Sequence, residues 1–506
     1  MRALFLGITF LAAAGAGGSD AADQPDIAAH IAITAPTEGE WIVTYTLPAP
    51  AAELVFVRSP DNSRGEDWTA PGGFKIVLEG GSERARRTDG QPFSEIRFGV
   101  PPRYRDLPKD YAPFMPFGDG GRLFYTGRMF ACGGECPDDA RWTMSIETAQ
   151  ESVLVNGERH DARASWSDSG QGRNVYVGHA EPVVSDDVVA LIDTALPQQI
   201  RRQLETYLPR FSAHFTQKLG ALGYTPMLFA SYDVSPQDGR WGRQGGTLPG
   251  QVFMHFYGQV WPSRIDDPAL PDELAWFFAH EAGHMYQHDA WADGDVNAWI
   301  HEGGAEAFAA LALRAEGAGN VAEAKVASAR RECTAAVAQT SVRDAIAAGK
   351  VDAAYSCGLL VSLAIDEAVK RADRGGDGLY TVWRDFIASE PPGRHTEAGF
   401  LAAVARAGGE GLADEVRMIV RTPRPDFAKL GAAQGRSQPS PHPLAPPKPA
   451  RQNALPPEER CNGPSARQAQ ATGFIPTALA DLRGGRGERI QSRFPARTVT
   501  VNERTA

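Results

Sequence analysis

The chain has 506 residues, 42% hydrophobic and 22% charged, with 62 acidic against 51 basic side chains. That composition excludes wholesale disorder, and at roughly 100 to 200 residues per domain the length calls for two or three domains. The net charge of -11, with no basic stripe interleaved by aromatics, argues against nucleic acid as a partner, because a polyanion would be repelled. The charge is also unevenly shared: from Gly431 to Ala506, 11 basic residues face 5 acidic ones, which leaves the first 430 residues at -17.

In chain order, Arg2 precedes an apolar run from Ala3 to Ala14, and mostly small residues follow through Ala22. This is the order of a secretory signal, so residues 1–22 are expected to be removed and the protein to be secreted or periplasmic. No later segment has the roughly 20 uninterrupted apolar residues of a membrane span.

Residues 23–184 read as an antiparallel β-rich domain, a sandwich or saddle. Runs such as Trp41-Ile42-Val43-Thr44-Tyr45-Thr46, Glu53-Leu54-Val55-Phe56-Val57 and Asn174-Val175-Tyr176-Val177 are separated by turn signals at Pro60-Asp61-Asn62 and Pro71-Gly72-Gly73. From Ser185-Asp186-Asp187, an acidic helix start, apolar residues recur at Ile192, Leu196, Ile200, Leu204 and Leu208, with Pro197 expected to kink or restart the helix. Strands are expected at Met227–Tyr232 and Gln251–Tyr257. Helices are expected at about 272–289, 297–316, 319–337, 352–373, 377–389, 396–407 and 411–421. Residues 185–425 thus form a small sheet packed on a helical body, within an α+β multidomain chain. A Pro-rich linker (426–460) and a basic tail (461–506) follow.

Cys132 and Cys136 flank Gly133-Gly134-Glu135, and Cys333 and Cys357 lie on neighbouring helical stretches, so two disulfides are expected. A structural zinc site would want repeated close pairs, and only one loose pair exists. Cys461 has no obvious partner.

The chemistry is concentrated in His280-Glu281-Ala282-Gly283-His284, on the helix opened by Pro271-Asp272-Glu273. Histidines at i and i+4 share a helix face and converge on one metal ion, while the glutamate points beside them toward its water. The bland alternative is two histidines and a glutamate on a solvated helix. Trp276, Phe277, Phe278 and Ala279 speak against it, because they make the helix buried and unshared polar groups there costly. Glu302 follows His284 after 17 intervening residues, and a helix, a turn and a return helix would bring its carboxylate back as third ligand. His288 is the rival, but it lies roughly 12 Å of helical rise from His280. The metzincin pattern is excluded, because Gln287 and Ala290 stand where its glycine and third histidine belong.

His280 to His284, followed by Trp299-Ile300-His301-Glu302-Gly303-Gly304-Ala305-Glu306, resembles the gluzincin zinc metallopeptidases, particularly the aminopeptidase N and glycyl aminopeptidase families. His301 replaces those families' asparagine, and the gap is one residue shorter than usual in aminopeptidase N. The resemblance implies a thermolysin-like catalytic domain with one Zn2+ held by His280, His284 and Glu302, and Glu281 as general base. It also implies a peptide or protein substrate. Ala354-Tyr355-Ser356-Cys357-Gly358 resembles the segment carrying those families' transition-state tyrosine, which makes Tyr355 the oxyanion stabiliser. Glu306, one turn past Glu302, is either placed to orient a histidine or a solvated helix carboxylate. Gly250-Gln251-Val252-Phe253-Met254-His255 is taken as the strand edging the cleft, and it lacks the glutamate with which aminopeptidase N relatives capture a free amine. The expected function is therefore an exported zinc metallopeptidase of unresolved exo- or endopeptidase mode. The rival is a catalytically silent extracytoplasmic binding module on the same scaffold.

Overall fold

The computed structural model describes residues 27–107, 110–235, 241–287, 295–373, 376–389, 395–427 and 491–492. The expected signal, all but the first two residues of the linker, and Cys461 lie outside them. No helix among the described residues is long and apolar enough to cross a membrane.

The first part is β-structure because its apolar residues alternate. Ala29, Ile31, Ile33 and Ala35 are buried on strand Ile27–Ala35, as are Trp41, Val43, Tyr45 and Leu47 on Trp41–Ala51, while the residues between them are not. These strands belong to an eight-stranded sheet with Phe93–Val100, Arg141–Val155, Glu158–Ser169, Asn174–Gly178, Arg122–Tyr125 and Phe114–Pro116. One pair departs from the antiparallel expectation: Ile27–Ala35 runs parallel to Arg141–Val155. With 105 residues between them, no hairpin fixes their relative direction. A four-stranded sheet (Phe74–Glu79, Ser82–Arg87, Glu53–Phe56, Ala131–Gly133) shares one core with the larger one, and the Cys132–Cys136 disulfide closes the turn at its edge.

The next sheet orders its strands Val183–Val184, Val189–Ile192, Met227–Asp233, Gln251–Tyr257 and Gly242–Leu248, with the short Gln491–Ser492 pairing in parallel outside the last. Its inner strands are near-continuous apolar runs because both faces are covered. Leu228, Ala230, Val252, Met254 and Phe256 pack into the helical core, while Met227, Phe229 and Phe253 pack with Tyr111, Tyr125 and Tyr176 from the first part of the chain.

Two expectations are corrected here. Ser185 to Ile192 is not helical. The Ser185 hydroxyl closes a turn with the backbone of Val188, joining two strands, and the helix Gln198–Leu219 begins only after Pro197, whose φ of -50° suits its N-cap. Ile192 and Leu196 matched the helical spacing but stand on a strand and in the loop after it. Gln251–Tyr257, taken as the cleft edge, lies inside the sheet between Met227–Asp233 and Gly242–Leu248. The flanking strand is Gly242–Leu248, hidden in the sequence by three glycines among seven residues.

The helical lobe comprises Leu270–Met285, Ala298–Ala315, Gly319–Ala336, Val342–Ala347, Asp352–Ala372, Leu379–Ser389, Glu397–Gly408 and Glu410–Arg421. At its centre the Ala298–Ala315 and Asp352–Ala372 helices cross at Gly303 and Gly358. A Cβ on Gly358 would stand 2.5 Å from the Trp299 carbonyl oxygen and 2.7 Å from the Gly303 Cα, so backbone touches backbone. Gly303→Ala is expected to lower stability by about 1 to 3 kcal/mol in urea denaturation by forcing the helices apart. Gly319→Ala, at a position open to space, should change it by less than about 0.5 kcal/mol.

Candidate metal centre

The Leu270–Met285 helix is buried along almost its whole length, with Asp272 and Glu273 in its first turn complementing the helix dipole. Arg243 and Arg264 pair with Glu273 at 3.1 and 3.4 Å and hold that end against the sheet. Polar groups inside such a helix need partners. His280, Glu281 and His284 are 3%, 1% and 7% exposed, and their donor atoms lie within 4.8 Å of one another.

The Nε2 atoms of His280 and His284 stand 3.0 Å apart, and Oε2 of Glu302, reaching across from the Ala298–Ala315 helix, lies 3.5 Å from each. Three ligands on a zinc tetrahedron with bonds of about 2.0 to 2.2 Å would be separated by about 3.3 to 3.6 Å. The donor set and the two 3.5 Å separations to Glu302 therefore fit zinc, and the 3.0 Å between the imidazole nitrogens needs to open by about 0.3 Å. Glu302 Oε2 is also a buried carboxylate oxygen that makes no proper hydrogen bond within the protein, as a metal ligand's would.

The far sides of both rings are held so that their Nε2 lone pairs face inward. Gln287 donates its amide hydrogen to the His301 carbonyl at 2.9 Å, which turns its Oε1 toward His284 Nδ1 at 2.7 Å and makes that nitrogen the protonated one. His280 Nδ1 lies 3.0 Å from Glu306 Oε1, which also accepts the Trp276 indole N–H at 3.2 Å. Glu306 is partly buried beside the His280 ring.

The electrostatics are those of a cation site. Burial alone would raise the Glu302 carboxyl, yet His284 and His280 draw it down to about 2. Burial opposes charge on His280, and Glu302 and Glu306 overcome it, raising that imidazole well above its usual value. Burial raises Glu281 despite the neighbouring histidines. Thr247, on the Gly242–Leu248 strand, donates to Glu281 Oε2 at 2.7 Å, while Oε1 has no hydrogen-bond partner among the described residues.

Tyr355 opens the Asp352–Ala372 helix, and its ring lies nearly parallel to that of His280, with centroids 5.9 Å apart and 23° between planes. Its place is set by the Gly303–Gly358 crossing and by the Cys333–Cys357 disulfide two residues on. His288 lies outside the described residues.

Sequence reasoning missed Tyr111. Its hydroxyl donates to the Thr247 carbonyl at 3.3 Å, and burial followed by the charge of Glu281 raises its phenol well above its ordinary value. Buried Asp110, paired with Arg58 at 3.2 Å and Arg128 at 3.5 Å, accepts the Tyr111 N–H and anchors it. No local pattern marks a tyrosine far upstream in a β-rich region as part of this site.

No protein-family model and no curated relative matches the sequence. Solved structures do match. An aminopeptidase N family protein from Idiomarina loihiensis is similar at TM-score 0.52 and 11% identity over 70% of this chain and 69% of that one. Native yeast leukotriene A4 hydrolase follows at TM-score 0.50 and 11% identity over 80% and 69%. An M1 zinc metallopeptidase from Deinococcus radiodurans reaches TM-score 0.44 and 13% identity over 83% and 95%. The first two establish the fold: this chain is built like a gluzincin aminopeptidase.

Glu306→Gln is expected to weaken zinc binding by about 10- to 100-fold, because His280 loses the carboxylate that orients its ring. Chelator competition on the purified protein measures this directly, and an unchanged affinity would remove Glu306 from the centre.

Proposed function

We propose that this chain is an exported zinc-dependent metallopeptidase. The observation that carries the reading is the buried triangle of His280 Nε2, His284 Nε2 and Glu302 Oε2, with the Glu281 carboxyl beside it and the Tyr355 ring against His280. The gluzincin fold supports it.

One zinc ion held by His280, His284 and Glu302 would supply Lewis acidity, polarising the scissile carbonyl and bringing the pKa of water toward neutrality. The protein's own groups do the rest. Glu281 has one oxygen fixed by Thr247 and the other without a partner among the described residues, so it takes the proton of the attacking water through the latter and hands it to the leaving amine. The Tyr355 phenol donates to the oxyanion as it develops. Burial of His280, Glu281, His284 and Glu302 excludes bulk water and strengthens each of these interactions.

Export rests on the Arg2 to Ala22 sequence and on two disulfides, bonds that persist in oxidising compartments. In this reading the signal is residues 1–22, the β-rich domain 23–184 and the catalytic and helical domain 185–425. Strand Gly242–Leu248 carries no carboxylate, so capture of a free α-amine does not follow from it, and the position of the cut decides between exo- and endopeptidase modes.

Zinc analysis of the full-length protein with mass-spectrometric mapping of peptide-library cleavage tests the proposal. One zinc per chain and defined cuts are expected. Glu281→Gln should keep the metal and lose at least about 100-fold in kcat, and Tyr355→Phe should lose about 100- to 1,000-fold in kcat with little change in KM. Stoichiometric zinc without hydrolysis would convert the reading to the binding module. Failure to load zinc would end both.

A further inference from the structure

The sheet's other face carries a second polar cluster that the metal centre does not use. Gln244 on the Gly242–Leu248 strand stands opposite His255 on the neighbouring strand, and His255 in turn stands beside Ser231 on the next. All three are buried, at 4%, 0% and 1% exposure. Ser231 Oγ and His255 Nδ1 are hydrogen-bonded at 2.7 Å, and the Tyr104 ring lies over the imidazole with centroids 4.5 Å apart. Yet among the described residues His255 Nε2 and both amide atoms of Gln244 have no hydrogen-bond partner, although the two side chains share one face of adjacent strands. Burying a donor and acceptors without partners is unfavourable, and a cluster of such atoms points to a ligand that completes them.

We infer that Gln244 and His255 form a subsite for an uncharged, hydrogen-bonding side chain of the substrate, a carboxamide above all. The inference rests on the peptidase reading for its substrate, but its geometry is separate from the metal centre's.

The Gln244 amide offers a donor and an acceptor side by side, which a carboxamide complements with two antiparallel hydrogen bonds. Among the described residues a carboxylate finds no cation there: Arg243 points to the opposite face, paired with Glu273, and Asp233 bears electrostatically on His255. Burial lowers the His255 imidazole to about 3, so it stays neutral at working pH. Gln244 is three residues along the strand from Thr247, which holds Glu281, a separation of roughly 10 Å. An extended peptide laid along this strand alternates its side chains between the two faces, so one flanking the cut turns toward Gln244 where the peptide displaces the short Gln491–Ser492 strand paired at that register.

Two measurements test this on the full-length, zinc-loaded protein. The first is calorimetric titration of the Glu281→Gln protein with blocked alanine hexapeptides carrying a single Gln or, near-isosterically, Met. Glutamine peptides should bind at least about tenfold more tightly, and adding Gln244→Met should abolish the difference. Equal binding, tighter binding of the Met peptide, no binding of either, or a preference for lysine peptides would overturn the subsite. The second is the melting temperature of Gln244→Met, which should rise, because an apolar isostere replaces an unpartnered buried amide. A glutamine with only a structural role would give a fall. His255→Phe serves as the second variant and should erase the same binding ratio. Binding is read without turnover, so a ratio that holds while the wild type hydrolyses nothing would sink the peptidase reading and keep the subsite. Hydrolysis without the ratio would do the reverse.

Discussion

Two imidazole nitrogens 3.0 Å apart, inside a helix with almost no exposed surface, set the terms for the whole lobe. His284 has its Nδ1 bonded to Gln287 and His280 has its Nδ1 facing Glu306 at 3.0 Å, so two Nε2 atoms face each other and a shared cation or proton relieves them. Everything around the pair serves that demand. The Glu302 carboxylate arrives from the return helix, which packs on Gly283 so closely that a Cβ there would meet Phe308 at 3.3 Å and need it to give by a few tenths of an ångström. Gly304, likewise bare, leaves space for the Trp383 ring and the Gln287 amide, which would stand 2.7 and 2.8 Å from a Cβ there. The glycines of the motif are thus distance setters: each removes one Cβ so that a ligand or its support can reach its place.

The same logic carries one helix further out. The Gly303–Gly358 contact fixes the start of the Asp352–Ala372 helix against the helix bearing Glu302, and the Cys333–Cys357 bond ties that start to a third helix. In the chain-entropy view the bridge adds about 3 kcal/mol. Its placement matters as much as its size, because Tyr355 sits two residues from the bridged cysteine and three from the glycine crossing. In the proposed mechanism, a phenol that meets charge only as it develops gains from being held before the substrate arrives.

Much of this was legible because the informative signals are local. The i, i+4 histidines need only one helix, the 17-residue gap only one turn, and the strict alternation of Ala29 to Leu47 only one sheet face. What escaped depends on contacts between distant segments. Strand Gly242–Leu248 has the composition of a loop and is held extended by its neighbour rather than by its own residues. The stretch from Ser185 to Ile192 carries helical spacing by coincidence, and Pro197 with the Ser185 turn decides against it. Tyr111 reaches the centre through an ion-pair network seeded by Asp110, which no window of sequence contains.

That glycine-rich strand joins the two chemistries. Its odd residues face the helices, where Arg243 anchors the start of the His280 helix through Glu273 and Thr247 fixes the Glu281 carboxyl. Its even residues face the other way, toward Tyr111 and the first part of the chain, and among them is Gln244. Both sides are crowded. A Cβ on Gly245 would stand 2.6 Å from Phe277, and one on Gly246 2.9 Å from the Tyr111 hydroxyl. A strand of ordinary composition would push the helix away on one side and Tyr111 on the other. The period-two alternation of a single strand therefore lets one element hold the Glu281 carboxyl on one face and present a hydrogen-bonding side chain on the other. Its glycines, poor strand formers by propensity, are what permit the two approaches at once.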